Sequence, residues 1–144
     1  MSGQAEAQVR VLVTGSRAWS DSAAIEGALD RLHAEHGDRL VIVHGACRWG
    51  ADVLAERWAR RRGVAVERWP ADWARLGRRA GMVRNAAMVA SGPDLCLAFI
   101  RDRSPGASHC AAAAEAAGIP TVRCQVPPPG GNEAGTGRGM GLVR

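Results

Sequence analysis

Short apolar, largely β-branched runs alternate along this chain with stretches whose apolar residues recur at helical spacing, and that alternation leaves few architectures open. Residues 9–14 (VRVLVT) end at Gly15 and read as a buried strand followed by a tight turn. Residues 40–43 (LVIV), 64–69 (VAVERW), 94–100 (DLCLAFI) and 119–124 (IPTVRC) read as further strands. Between the first two, Ile25, Ala28, Leu29 and Leu32 mark an amphipathic helix with Asp21 or Ser22 as N-cap and its end near Gly37. Ala51, Leu54, Ala55 and Trp58 mark a second helix, closed by Arg60, Arg61, Arg62 and Gly63 in keeping with the helix dipole. Residues 70–81 read as a loop entering a third helix that continues as MVRNAAMVASG, 101–108 as a polar loop, and 109–117 as a helix stopped by Gly118. A strand, a helix and a strand over roughly 30 residues is the length of a right-handed βαβ crossover. The order βαβαβαβαβ therefore predicts an α/β fold of three layers, α/β/α, with a mainly parallel sheet of about five strands.

The length of 144 residues suits one domain, expected over 9–126, after an N-terminal extension at 1–8 and before a flexible Pro/Gly-rich tail at 127–144. Every basic residue is arginine, so lysine chemistry of the Schiff-base kind is excluded and planar, permanently charged forks are plentiful. The formal charge of +5 permits an anionic partner without selecting one. Cys47, Cys96, Cys110 and Cys124 follow no CxxC or secreted-framework spacing and are expected to be reduced. MSGQAEAQ lacks an apolar core region and no apolar run is long enough to span a bilayer, so a cytoplasmic protein without a membrane partner is expected.

Two glycine-bearing turns stand where strands hand over to helices. The first is Gly15, Ser16 and Arg17; the second is HGACRWGAD, with His44, Gly45, Cys47, Arg48, Gly50 and Asp52. Without a Cβ the backbone can approach a ligand closely, and the N–H groups of the following helix face its phosphates. Geometry alone also explains a glycine in a β-to-α turn. Two such turns with an arginine in each, and a third loop at Gly106, Ala107 and Ser108, favour an anion site. Asp52 either holds a ligand hydroxyl or favours the helix dipole. Asp72, Trp73, Arg78, Arg84 and Asn85 form a second group. Arg78, Gly81, Arg84, Asn85 and Met88 share one stripe of the third helix, while Val83, Ala86, Ala87 and Ala90 share the other. Asn85 and Gly81 are poor choices for a merely solvated helix face, and Trp73 is suited either to stacking on a base or to covering the core.

His44 with Cys47, and His33 with His36, do not supply the three or four convergent ligands a metal needs, so no metal is expected. Cys47 at a helix N-terminus has thiolate-favouring placement but no sequence-local base. Neither turn reads GxGxxG, no GxxxxGK[ST] occurs, and the GTGRGMG near the end lacks a preceding strand. Ordinary NAD dehydrogenases and P-loop ATPases are thereby set aside, and no cofactor is predicted.

VLVTGSRAW, VHGACRWGAD, PADWARLGRRAGMVRNAAM and DLCLAFI, followed by a glycine loop and AAGIPTV, together resemble the YspA group of YpsA-related proteins in the SLOG superfamily, in the right order over about residues 9–124. The resemblance implies a Rossmann-like fold. It also implies kinship with the LOG phosphoribohydrolases, with the DNA-processing protein DprA and with sensor domains for nucleotide-derived ligands, and a homo-oligomer such as a dimer. The PGGxGTxxE loop of the LOG enzymes falls on Pro105, Gly106, Ala107 and Ser108. Here it reads SPGASHCAAAAE: the paired glycines and the threonine are missing, Ser108 replaces only the hydroxyl, and Cys110 or Ala111 stands at the catalytic glutamate's position, with Glu115 about a turn further on. The leading expectation is binding or sensing of a nucleotide or nucleotide-derived ligand. The alternatives are a phosphoribohydrolase or other N-glycosidic hydrolase using Asp52, Asp72 or Glu115, and a DprA-like DNA-binding module, with nucleic acid ranked behind the small ligand.

Overall fold

A computed structural model describes residues 7–101, 104–126 and 141–143. Five strands, β1 (Val9–Gly15), β2 (Leu40–His44), β3 (Ala65–Arg68), β4 (Leu95–Arg101) and β5 (Thr121–Val126), form a parallel sheet in the order β3-β2-β1-β4-β5. A short β6 (Gly141–Val143) adds to β5 antiparallel. The helices are α1 (Ser22–His36), α2 (Ala51–Arg62), α3 (Trp73–Leu76), α4 (Ala80–Ala90) and α5 (Pro105–Ala116). The Rossmann-like α/β architecture expected from the sequence is thus present, with residues 1–6, 127–140 and 144 of the expected extension and tail outside the described residues.

The central strands β1, β2 and β4 are buried on both faces, which is why they read as continuous apolar runs rather than as alternation. Val11, Val13, Ile42 and Phe99 pack against Ile25 and Leu29 of α1 and Ala55 and Trp58 of α2. Leu12, Val43 and Cys96 pack on the opposite face against Met88 of α4 and Cys110 and Ala114 of α5. Trp58 is fully buried, donates its indole N–H to Asp30 at 2.9 Å and meets the His33 ring edge-on, a burial that stabilises the fold by about 2–3 kcal/mol. Asp21 is the residue that caps α1, accepting the Ala24 N–H at 3.1 Å. Gly63 closes α2 in the left-handed conformation.

Two segments differ from the sequence reading, and the orientation of α4 adds to it. The loop ascribed to 101–108 is shorter, because Pro105 occupies the first turn of α5 and its fixed φ suits that position. The segment 70–81 contains its own short helix, α3, capped by Asp72, and a 3-10 turn at Gly77–Arg79 before α4 begins. On α4 the stripe of Val83, Ala86, Ala87 and Ala90 is exposed, while Asn85 and Met88 of the other stripe are buried, in line with Asn85 being a poor choice for a solvated face. The polar stripe is inward because it faces the mouth of the sheet.

Candidate functional site

β1 is the strand at which the sheet reverses direction: β2 and β3 follow on one side of it and β4 and β5 on the other. The loops leaving β1 and β4 therefore part company, and a crevice at the carboxyl ends of the strands is built into the topology. A cleft of about 520 Å³ lies there. Gly15, Ser16 and Arg17 after β1, Gly45 and Cys47 after β2, and Asp52 of α2 form part of its wall. Trp73, Arg78, Gly81, Arg84, Asn85 and Met88 come from α3, α4 and the turn between them; Arg101, Ser104, Pro105, Gly106 and Ala107 come from the end of β4 and the start of α5.

The walls are cross-tied. The Ser16 hydroxyl donates to the Arg101 carbonyl at 3.1 Å and accepts the Arg101 N–H at 2.7 Å, joining the ends of β1 and β4. One Asp52 oxygen accepts the backbone N–H of Gly45 at 3.1 Å and of Cys47 at 3.2 Å, which fixes the loop after β2. Burial pushes the Asp52 carboxyl upward, opposed by His44, by its bonds to Cys47 and by Arg84. Burial, and after it Asp52, also pushes the Cys47 thiol up, so the thiolate that nucleophilic chemistry needs is disfavoured. The glycines serve this packing. A Cβ on Gly15 would collide with Ala51, and one on Gly50, at φ 77°, would collide with the Ser16 carbonyl oxygen.

Arg84 donates Nη1 to the Gly45 carbonyl oxygen and, at 3.2 Å, to that of Trp69, and Nε to Asn85 Oδ1 at 2.7 Å. Its charge lines the cleft while holding two loops together. Asn85 is 7% exposed, and beyond accepting from Arg84 its side chain makes no hydrogen bond to the described residues, leaving its amide N–H groups for an occupant of the cleft. Arg17 and Arg78 have no hydrogen-bond or ion-pair partner among the described residues. Trp73 is half-exposed and lies against Gly81, where a Cβ would come within 3.3 Å of its ring.

Several residues singled out from the sequence lie elsewhere. Asp72 does not line the cleft: Oδ1 accepts the Arg75 N–H and Oδ2 pairs with Arg75 Nε, both at 3.1 Å, so it is a helix cap. Glu115 stands near the far end of α5 in a two-pronged pair with Arg123, which holds its carboxyl below the usual range. Ser108 is one residue too far along α5, its N–H bonded to the Ser104 carbonyl; Ser104, Pro105, Gly106 and Ala107 take its place. Gly50 is absorbed by the packing against Ser16, and Arg48 lines a neighbouring hollow.

His44 is buried behind the loop. Its Nδ1 accepts the Ala46 N–H at 2.9 Å, so Nε2 carries the proton and donates to Glu56 at 2.7 Å. Sequence reasoning missed Glu56, which also binds Arg68 and Arg60; the Arg68 guanidinium, with His44 and Arg60, lowers its carboxyl to about 2 despite opposing desolvation. It missed Arg101 and Ser104 as well. Among the described residues no three His, Cys, Asp or Glu side chains converge as metal ligands, and no helix is long and apolar enough to cross a membrane.

Fold and cleft together define a Rossmann-like domain with a basic, partly aromatic pocket at its switch point. The sequence pattern of the YspA, cpYpsA-related SLOG family matches residues 9–76. The chain is also similar to the "Gene 61 protein" of Mycobacterium phage D29, 48% identical over 120 residues that cover 78% of this chain and 94% of that protein. The chain belongs to the YspA, cpYpsA-related SLOG family. No solved structure matches it.

Proposed function

We propose that the cleft binds a nucleotide or nucleotide-derived ligand and that the protein senses or presents it, in the cytoplasm. One observation carries the reading: the guanidinium groups of Arg17 and Arg78, unpaired among the described residues, the open amide of buried Asn85 and the half-exposed ring of Trp73 all line one cleft. Cations meet phosphate, an amide reads a base or ribose edge, and an indole stacks on a base. Family membership supports the same class of ligand. Calorimetry of the full chain against nucleoside mono-, di- and triphosphates, ADP-ribose and cyclic nucleotides tests it. Saturable binding that Asn85→Ala weakens is expected; silence across the panel overturns it.

Binding is favoured over hydrolysis by the placement of the carboxylates. Asp72 and Glu115 are engaged elsewhere, and Asp52 uses one oxygen to hold two backbone N–H groups. A hydrolase needs a carboxylate free to meet an oxocarbenium-like centre or a water.

A further inference from the structure

A second hollow, of about 400 Å³, adjoins the cleft. It shares Arg17, Trp73 and Arg84 with the cleft and adds Arg48, Trp49 and Pro70. Trp49 is 65% exposed and has no hydrogen bond or ring partner among the described residues, and Arg48 has no hydrogen-bond or ion-pair partner among them. An indole left in water forgoes the burial that its large apolar surface favours, and here two tryptophans line one hollow. The turn that carries Trp49 and Arg48 is strained. Ala46, at φ 61°, is the one non-glycine residue with positive φ among the described residues, and its N–H is held by the His44 ring.

A single nucleotide in the cleft leaves Trp49 and Arg48 without a role. Three arginines and two tryptophans in one hollow, with no acidic side chain on its lining, match the repeat of flat ring and phosphate. We propose that the ligand carries two aromatic ring systems joined through phosphate: one ring sits in the cleft at Asn85, the second is held in the adjoining hollow by Trp49, and Arg17, common to both, meets the bridging phosphate. Each hollow is of a size that small-ligand sites use. This rests on the nucleotide reading of the cleft.

The test is calorimetry of the full chain with adenosine and guanosine monophosphates, the linear dinucleotides pApA and pGpG, and a longer single strand of the same bases. At least one dinucleotide binds about tenfold or more tightly than its mononucleotide, the gain expected of one stacked base. Trp49→Ala removes that gain and leaves mononucleotide affinity unchanged, whereas Trp49→Phe keeps most of it. Equal affinity for mono- and dinucleotide, or a Trp49→Ala variant that weakens both alike, overturns the two-ring proposal while the cleft reading stands. Affinity that climbs with strand length and falls steeply with salt overturns it in favour of a nucleic-acid strand. Absence of binding by every probe removes the cleft reading, and the proposal with it.

Discussion

The Asp52 carboxylate accepts the Gly45 N–H at 3.1 Å, so the first turn of α2 anchors the loop that forms one wall of the cleft. Asp52 is 6% exposed, and the N–H groups it holds have no comparable substitute in water. Asp52→Ala is expected to lower unfolding free energy by about 1–3 kcal/mol in denaturant titrations. Asp52→Asn, which keeps an acceptor, is expected to lose less.

Glu56 makes stability acid-sensitive. Its folded carboxyl is lowered from 4.5 to about 2, so its stabilisation is fully present above pH 4.5 and is lost as pH falls through the window down to about 2. Thermal melts followed by circular dichroism should show a Tm that drops across that window. In Glu56→Gln the Tm above pH 4.5 is lower and the slope within the window is shallower; an unchanged slope would contradict the assignment.

Gly50 is the glycine whose replacement is costliest. Its φ of 77° disfavours any side chain, and a Cβ would meet the backbone of Ser16 rather than a yielding side-chain tip. Gly50→Ala is expected to cost about 2–4 kcal/mol. Gly27→Ala, in α1, has no atom within 4 Å of the new Cβ and is expected to be neutral or slightly stabilising in the same measurement.

Arg17 and Arg78 separate binding from folding. Both are exposed and unpaired among the described residues, so Arg17→Ala and Arg78→Ala should melt like the parent chain, within about 0.5 kcal/mol. Each lost charge-assisted bond to phosphate should weaken a bound nucleotide by roughly 10–100-fold. Parent-like affinity in both variants would remove the phosphate role.

Asp72 and Glu115 supply the opposite control. Asp72→Asn and Glu115→Gln touch a helix cap and a surface ion pair, and ligand affinity should stay within about twofold of the parent.

The sheet was legible because its central strands are buried on both faces: VRVLVT and LVIV leave no other reading. The α4 stripes were legible as two faces but not as to which turns inward, since Asn85 and Arg84 become interior only once β1 and β2 end beside them. The glycine turns were found, yet the reason for them lies in contacts between loops far apart in sequence, such as Gly50 against Ser16. Ser16 with Arg101, 85 residues apart, and Glu56 with His44 belong to the same kind: partners chosen by the fold, with no local pattern to announce them. Asp72 and Glu115 misled because a carboxylate beside an arginine looks the same in sequence whether it caps a helix or faces a substrate.

The cross-ties around the cleft are unevenly distributed. Ser16 locks the β1 and β4 ends to each other, while Asp52, His44 and Arg84 grip the loop after β2. The segment 70–79, by contrast, bonds only within itself and to the start of α4 among the described residues, and it carries Trp73 and Arg78. Three sides of the chamber are thus masonry and the fourth is a separately hung panel: Trp73 and Arg78 are held in place by backbone bonds local to α3 and the turn after it, not by the sheet that fixes the other walls.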